Sequence, residues 1–585
     1  MGFSPIAWSR RGRLRPYLAV AAVIALAAGG AIGATAASAT TSSTPTFAGY
    51  RTPATVSTTL YRDSTSTPIK HLVVIFDENE SFDHYFGTYP YAANTDGTPF
   101  HAKPGTPTVN GLYTKITKSG PVGPLLTNNP NEYNPQRLTH SEALTSDQNH
   151  DYTPEQQAED NGKMDKFVQY TEDSTPAAGC AAPEYCPPGI VMDYFDGNTT
   201  TALWNYAQYY SMSDNDWDPS FGPSTPGAVN VSSGNTSGAE ALNPSWDPTD
   251  PGKATTSSSI VDVNSSTGLG VLYGDNDPYY DGCSDSNHST DGALAVLTGE
   301  NIGDLLNASH VTWGWFQGGF APTSTTDGLP VCGSEHENIG GAEVQDYVPH
   351  HNPFQYYAST ANPDHLPPSS LKEIGYTDQA NHQYDISDFT DALDGTGGAQ
   401  LPSVSYLKAP AYQNGHPGYS DPLDEQTWLV NTVNSIEQSK YWSSTAIVIT
   451  YDDSDGWYDH QSPETAGALV NGSSDSATDT AACEAVAITV GTTNDRCGYS
   501  QRLPLVVISP YTRSNYVSGN LTDTTSVVKF IEDNWLNGER IPGSFDATSG
   551  SLDAPGGVLD FYTRPHFQPL ILNPATGAIV SGGES

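Results

Sequence analysis

Two apolar segments of the chain each end in oxygen-bearing side chains. Glu78 and Asn79 follow "HLVVIFD", and Asp452 and Asp453 follow "TAIVITY". Carboxylate and amide oxygens are the ligands that hard or borderline divalent cations prefer. Four such ligands, supplied by two strand ends, predict one divalent metal site. Ordinary turns after the two strands, which also favour Asp and Asn, are the alternative.

The segments that must position these residues have the pattern of an α/β protein. The runs "HLVVIF" (71–76), "TAIVIT" (445–450) and "LPLVVIS" (503–509) are rich in β-branched residues, as are strands buried on both faces of a parallel sheet. Helical patterns lie between such runs, at 202–211, 300–309, 424–439 and 525–536. The alternation predicts an α/β fold with a mainly parallel central sheet flanked by helices. Open sheets of this kind collect ligands at the carboxyl ends of their strands.

The amino terminus has the pattern of an export signal. Residues 1–39 contain four arginines, an Ala-rich apolar stretch and a small-residue cleavage motif at 37–39. The Arg10-Arg11 pair is similar to a twin-arginine signal. A membrane anchor is the less favoured alternative, because the apolar stretch is short and interrupted by two glycines. We therefore expect a secreted protein without a stable membrane anchor.

The rest of the chain predicts one domain after a flexible lead-in. Residues 40–67 are rich in Ser, Thr and Pro, and 68–585 show no internal repeat. Long loops are expected at 215–300 and 455–500. The six cysteines suit disulfides in an exported chain, and their spacing suggests pairs, although six cysteines allow about fifteen pairings. The suggested pairs are Cys180 with Cys186, Cys283 with Cys332, and Cys483 with Cys497.

The charge of the chain excludes one broad class of partner. The formal net charge is -43 at pH 7, and the predicted leader carries only positive charges. Binding to nucleic acids or to anionic membranes requires a basic surface. We expect no nucleic-acid partner. The chain also lacks a dinucleotide fingerprint and a P-loop, so no nucleotide cofactor is expected.

Eight ordered sequence blocks resemble those of the bacterial phosphoesterase family, which contains phospholipases C and a branch of acid phosphatases. The resemblance extends from about residue 66 to about residue 576. The blocks are "HLVVIFDENESFDHYFG", "DNGKMDKFVQY", "GPSTPGA", "TWGWFQGG", "VPHHNPFQYY", "TYDDSDGWYDH", "LVVISPYTRSNYV" and "TSVVKFIEDNW". The resemblance implies a core similar to that of alkaline phosphatase and a hydrolase of phosphate esters.

The resemblance also implies roles for individual residues. Glu78, Asn79, Asp452 and Asp453 match the metal ligands of the family. Ser224 matches the nucleophile, whose oxygen would be a fifth ligand. A serine hydroxyl needs a base or a metal to act as a nucleophile, so the two assignments agree. Lipase members usually have an Asn-Arg pair where this chain has Gly227 and Ala228, a departure that resembles the acid-phosphatase branch.

Histidines of the chain match positions that surround phosphate in the family. They are His150, His350, His351 and His416. Histidine titrates near pH 6.5, so mildly acidic conditions would favour phosphate binding and proton donation to a leaving alcohol. We expect a pH optimum below 7. Asp459 and His460 are expected to lie behind the metal ligands rather than among them.

Taken together, these features predict a secreted, metal-dependent phosphoric ester hydrolase. The favoured activity is that of an acid phosphatase that uses a serine nucleophile on phosphate monoesters. The alternative is a phospholipase C acting on phosphatidylcholine-type lipids, and a more distant one is a non-catalytic secreted binding protein. The oxygen ligands and nearby histidines are compatible with iron, manganese, zinc or calcium.

Overall fold

The computed structural model describes residues 64–582, apart from residues 161, 175–179, 181, 244–253, 262–263, 265, 285–292, 327 and 464–497. The predicted leader, most of the predicted lead-in and the suggested pair Cys483 and Cys497 lie outside the described residues.

The strands are numbered in chain order. They are β1 (His71–Asp77), β2 (Lys115–Thr117), β3 (Gly120–Val122), β4 (Ser211–Ser213), β5 (Asp216–Trp217), β6 (Ser237–Leu242), β7 (Ile260–Val261), β8 (Gly270–Leu272), β9 (Leu294–Leu297), β10 (Trp313–Gln317), β11 (Ser324–Thr326), β12 (Leu329–Val331), β13 (Glu335–Glu337), β14 (Glu343–Gln345), β15 (Gln383–Asp385), β16 (Val404–Lys408), β17 (Thr445–Tyr451), β18 (Leu505–Ile508), β19 (Tyr516–Ser518), β20 (Thr522–Asp523), β21 (Ile571–Leu572) and β22 (Ile579–Ser581).

The α-helices are numbered in the same way. They are α1 (Phe82–Phe86), α2 (Tyr152–Glu159), α3 (Phe167–Tyr170), α4 (Thr201–Tyr209), α5 (Ser224–Ser233), α6 (Ile302–Ala308), α7 (Ile386–Asp394), α8 (Pro422–Gln438) and α9 (Ser526–Trp535). All four helical segments predicted from the sequence are helices. The first of them ends before Ser211 because that residue begins β4.

An eight-stranded sheet forms the centre of the described chain. Its strand order is β15-β10-β16-β1-β17-β18-β4-β19. The five strands from β15 to β17 are parallel to one another, as are β4 and β19. The predicted α/β fold with a mainly parallel central sheet is confirmed.

Strand β18 is antiparallel to both of its neighbours, which the apolar pattern did not indicate. A strand buried on both faces has the same uninterrupted apolar sequence in either direction. The pattern therefore predicted the strand but not its orientation.

Alternate residues of β1 face two separate cores. Val73 and Ile75 pack with residues of α4, α7 and α8, whereas Leu72, Val74 and Phe76 pack with residues of α6 and α9. Fully burying one such aliphatic side chain stabilises a protein by about 1.5–3 kcal/mol. Helices on both faces of the sheet thus fix the central strands, whose ends carry the predicted site.

The segment 215–300, predicted as a long loop, contains regular secondary structure in its described residues. It contains α5 and a four-stranded sheet of order β7-β8-β6-β9. The strands of this sheet are short and include Gly, Ser and Glu, so they lack the apolar alternation that identifies strands.

Two of the three suggested disulfides are present, Cys180–Cys186 and Cys283–Cys332. Disulfides persist in oxidising compartments such as the extracellular space. Among the described residues, no helix is both long and apolar enough to span a membrane.

Candidate active site

Three adjacent strands supply one edge of the site. β16, β1 and β17 are parallel neighbours, so their carboxyl ends lie together. The backbone N–H of Asn79 donates to Asp452 Oδ1 at 2.9 Å, and that of Glu80 donates to the Asp453 carbonyl at 3.0 Å. Asn79 has φ of 60°, a left-handed conformation that Asn adopts more readily than most residues. The structure thus brings the two predicted ligand pairs together in a fully buried position.

Ser224 is the first residue of α5 and lies against these strand ends. Its Oγ lies 3.2 Å from Glu78 Oε2 and 3.4 Å from Asn79 Oδ1, and it can donate to either oxygen. Three residues later, a Cβ on Gly227 would lie 2.1 Å from the carbonyl oxygen of Asp452. The missing side chain at 227 therefore lets α5 pack directly on the strand end and brings Ser224 to the ligands.

The buried oxygens of this cluster fit a divalent cation. Asp452 Oδ2 and Asp453 Oδ2 are buried and have no hydrogen-bond partner among the described residues. Burial, and then the Asp452 carboxylate, raise the pKa of Glu78 well above its usual range. A divalent ion would relieve this repulsion and satisfy the free oxygens. Glu78, Asn79, Asp452, Asp453 and Ser224 are the residues that would hold it.

Lys408 enters the same cluster and was missed by the sequence analysis. It is the last residue of β16, is 1% exposed, and its Nζ forms an ion pair with Glu78 Oε1. The same Nζ lies 3.9 Å from Asp452 Oδ2 and 4.6 Å from the ring centroid of Phe76. A lysine at the end of the apolar strand "VSYLK" was the available signal. Lys408 thus supplies a buried positive charge that the sequence analysis did not predict.

Two of the predicted histidines are buried and favour the neutral form. His351 Nδ1 lies 3.0 Å from Glu78 Oε1, and burial, aided by nearby His350 and Lys408, lowers the pKa of His351 well below its usual value. His416 Nδ1 lies 2.7 Å from the Pro417 carbonyl oxygen. Burial lowers the pKa of His416 as well. Both residues are suited to hydrogen bonding rather than to carrying charge.

His150 lies between the predicted metal ligands and a second group of carboxylates. Its Nε2 lies 3.4 Å from Asn79 Nδ2, and its Nδ1 lies 3.1 Å from Asp455 Oδ1 and 3.5 Å from Asp147 Oδ1. Burial alone would lower the pKa of His150, but the charges of Asp453, Asp455 and Asp147 outweigh it and raise that pKa well above the usual value.

His350 also favours the charged form but contacts different residues. Its Nδ1 lies 3.3 Å from Asp277 Oδ1, and its Nε2 lies 4.0 Å from Asp275 Oδ2. Burial opposes the charge, yet Asp275 and Asp277 raise the pKa of His350. The ring of His350 is 4.6 Å from that of His351, which places it beside the cluster.

Glu155 is a second residue that the sequence analysis missed. One carboxylate oxygen accepts a hydrogen bond of 2.9 Å from the backbone N–H of Gly222. The other accepts a hydrogen bond of 2.8 Å from Ser454 Oγ. Burial, and then Asp453, raise the pKa of Glu155 to about 8. It connects the turn before Ser224 to the turn after Asp453. A Glu in the helical sequence "YTPEQQAE" carries no signal of this role.

Asp459 and His460 lie in an ion-pair network with Asp83 and Arg502. His460 Nδ1 is 2.6 Å from Asp83 Oδ2, and Arg502 Nη2 is 3.0 Å from Asp459 Oδ2. Arg502 is fully buried, so these carboxylates balance its charge. The role of Asp459 and His460 behind the metal ligands stays a prediction.

The chain is similar to one known protein family and to several individual proteins. The model described as the Phosphoesterase family matches residues 69–536. Non-hemolytic phospholipase C of Pseudomonas aeruginosa is 27% identical over 273 residues, which cover 40% of this chain and 37% of that protein. Hemolytic phospholipase C of the same organism is 22% identical over 480 residues, which cover 80% of this chain and 53% of that protein. The chain thus spans about half or less of these two relatives.

One solved structure is described as a protein in the alkaline phosphatase superfamily from Vibrio parahaemolyticus. It is 10% identical to this chain, with a TM-score of 0.25, and the match covers 56% of this chain and 59% of that one.

Proposed function

Because the chain belongs to the Phosphoesterase family, we propose that it is a metal-dependent phosphoric ester hydrolase with Ser224 as its nucleophile. The observation that carries this proposal is the position of Ser224 Oγ, 3.2 Å from Glu78 Oε2. A serine nucleophile can be activated by metal coordination, and Ser224 lies next to carboxylates that fit a divalent ion.

The residues of the site suggest the course of the reaction. A divalent ion bound to these oxygens would favour the alkoxide of Ser224 and neutralise charge on the phosphoryl oxygens. Ser224 Oγ attacks phosphorus in line, its proton leaves toward Glu78 Oε2, and the ester bond to the alcohol breaks. A charged histidine gives its proton to the departing oxygen.

The second half of the reaction releases phosphate. A water molecule adds its oxygen to the phosphorus of phosphoserine and gives a proton to the histidine that was left neutral. The Oγ–P bond breaks, and Ser224 regains the proton held by Glu78. His150 and His350 are suited to bind the phosphoryl oxygens because neighbouring carboxylates raise the pKa of each ring. Two in-line displacements retain the configuration at phosphorus. The expected pH optimum below 7 stays a prediction.

We propose phosphate monoesters as the favoured substrates. The reason is the departure at residues 227–228 from the Asn-Arg pair of lipase members. In this chain, Gly227 packs on the Asp452 backbone and Ala228 is fully buried in the apolar core. An Arg side chain at position 228 would need to leave that core. The site of this chain therefore lacks the arginine of the Asn-Arg pair.

Phospholipase C is the second candidate, and one observation favours it. Both curated relatives described above are phospholipases C, and one of their matches covers 80% of this chain. This activity uses the same residues and differs in the leaving group, which would be a diacylglycerol.

Rates on two substrates distinguish these candidates. The purified protein, loaded with divalent metal, is assayed side by side on p-nitrophenyl phosphate and on phosphatidylcholine, with Ser224→Ala as the control. Rapid release from the small ester and little from the lipid supports the monoesterase, and the reverse supports phospholipase C. If neither substrate is cleaved with any divalent metal, or if Ser224→Ala is fully active, the proposed function is wrong and a binding protein becomes the better account.

The proposal also includes the setting of the enzyme. Residues 68–585 are proposed to form one catalytic domain that is exported by the predicted leader. The two disulfides of the described chain agree with an oxidising compartment.

A further inference from the structure

Three consecutive residues, Asp275, Asn276 and Asp277, contact the start of α5 and the segment 350–356. We call residues 275–277 the DND segment. Asp275 Oδ1 accepts the backbone N–H of Thr225 at 3.0 Å, directly after the proposed nucleophile. The Asn276 carbonyl oxygen accepts a hydrogen bond of 2.6 Å from Tyr356 Oη, and Asp277 Oδ1 lies 3.3 Å from His350 Nδ1. The segment thus connects the start of α5 to the segment that carries His350.

The DND segment is held firmly from both sides. Asn276 Nδ2 donates a hydrogen bond of 2.6 Å to the Ala293 carbonyl, and Asn276 Oδ1 accepts one of 3.2 Å from Ser257 Oγ. Further along, Asp281 accepts a hydrogen bond of 2.5 Å from Tyr347 Oη. The disulfide Cys283–Cys332 follows two residues later. A carboxylate mounted on such a segment can fix the orientation of the histidine it faces.

His350 is distinct from the other three histidines of the site. His351 faces Glu78, His150 faces Asn79, and His416 bonds to a neighbouring carbonyl. The carboxylates that His350 pairs with both belong to the DND segment, outside the proposed metal ligands. Its side chain is also 26% exposed, which makes it accessible to a substrate.

The contacts of His350 also fix the direction in which it can donate. Asp277 lies within reach of Nδ1, so this nitrogen carries a hydrogen toward the carboxylate. Nε2 is 4.0 Å from Asp275, too far for a hydrogen bond. A second hydrogen on Nε2 makes the ring an imidazolium whose free N–H can bind a phosphoryl oxygen.

We infer that Asp277, supported by Asp275, is a positioning residue that holds His350 as the imidazolium that binds the substrate phosphoryl group; this inference rests on the proposed function. The charged or titratable groups that face His350 are Asp275 and Asp277 from the DND segment, His351 from its own segment and Asp452 from the end of β17. Burial lowers the pKa of His351, so the neighbours of His350 are carboxylates and one neutral ring.

The test compares Asp277→Asn with a matched control, Asp346→Asn. Asp346 follows directly after β14 and accepts a hydrogen bond from His336 at 2.8 Å, so it pairs with a histidine as Asp277 does, but with a different one. His350 is titrated by NMR with labelled imidazole carbons, and its signal is assigned by its loss in His350→Gln. Binding of inorganic phosphate to the metal-loaded proteins is measured over the same pH range.

In Asp277→Asn, the pKa of His350 is expected to fall by about one unit, and phosphate binding is expected to weaken by up to about tenfold as the pH rises above that pKa. Asp346→Asn should leave both unchanged. Asp277→Glu keeps the carboxylate and should restore most of the titration and of the binding. Thermal unfolding of each variant shows whether it is folded.

Two outcomes would overturn the inference. One is a folded Asp277→Asn protein in which the pKa of His350 and the affinity for phosphate equal those of the wild type. The other is an equal loss in Asp346→Asn, which would mean that any disturbance of this region has the same effect. A wild-type protein that cleaves no phosphate ester would contradict the proposed function instead, and the titration of His350 would still report on Asp277.

Discussion

At the scale of single residues, the site is a balance of buried charges. Glu78, Asp452 and Asp453 are fully buried carboxylates within one small volume. Lys408 is the buried cation that faces two of them. Isolated buried carboxylates would be strongly unfavourable, and in the proposed site Lys408 together with a bound divalent ion would balance them.

Replacing Lys408 by Met tests this balance. Removing one partner of a buried ion pair costs about 3–5 kcal/mol, because the other charge remains buried and unpaired. We expect Lys408→Met to lower the stability by an amount of this order in a chelator, and divalent metal to recover most of the loss. The measurement is denaturant unfolding with and without metal.

Lys440→Met is the matched control, since Lys440 is exposed on the surface beside Tyr441. It should change the unfolding free energy little in either condition. Equal stability of Lys408→Met and the wild type in chelator would show that Lys408 does not balance the carboxylates.

At the scale of elements, the site depends on where strands and one helix end. β16, β1 and β17 end side by side, which places Lys408, Glu78 and Asp452 at the same edge. The α5 helix then approaches this edge so closely that residue 227 has no room for a side chain. The geometry of Ser224 therefore depends on packing between α5 and β17.

Gly227→Ala tests this packing. The new Cβ would lie 2.1 Å from the Asp452 carbonyl oxygen, so α5 or the strand end must shift. We expect a loss of most activity on p-nitrophenyl phosphate and a destabilisation of about 1–3 kcal/mol, as overpacking usually causes. Steady-state rates and thermal unfolding measure the two effects.

Gly519→Ala provides the comparison, because the nearest atom to its Cβ would be 3.8 Å away. It should retain normal rates. Full activity in Gly227→Ala would mean that the position of Ser224 does not depend on this contact.

The elements also show what the sequence could and could not predict. The apolar runs followed by acids were enough to predict β1 and β17, their parallel arrangement and the meeting of their ends, because such strands are buried on both faces. The orientation of β18 was not predictable, since the same run of apolar residues fits either direction. The four-stranded sheet within 215–300 was missed because its strands are short and poor in apolar alternation.

Some residues near the candidate site could not be predicted from the sequence. Lys408 comes from β16, a strand far from β1 in sequence, and only the sheet order makes it a neighbour of Glu78. Glu155 and Asp277 act through contacts between distant segments. A pattern along the chain carries no information about such contacts, whereas the motif blocks themselves contain the proposed metal ligands and Ser224.

At the scale of the whole molecule, the positive charges of the site are local. The chain has a formal net charge of -43, so an anionic substrate approaches an acidic protein. In the proposed reaction, substrate binding would therefore depend on the bound divalent ion and on the few cationic groups at the strand ends. Lys408 and the charged forms of His150 and His350 are the groups that the described residues provide there.

The central step of the proposed reaction is the transfer of phosphate to Ser224. The most direct measurement is to quench the metal-loaded protein with acid during turnover of p-nitrophenyl phosphate and to locate covalent phosphate by peptide mass spectrometry. We predict phosphoserine at position 224 in the wild type and no covalent phosphate in Ser224→Ala, which should also be inactive. Covalent phosphate at another residue, or an active Ser224→Ala protein, would contradict the account.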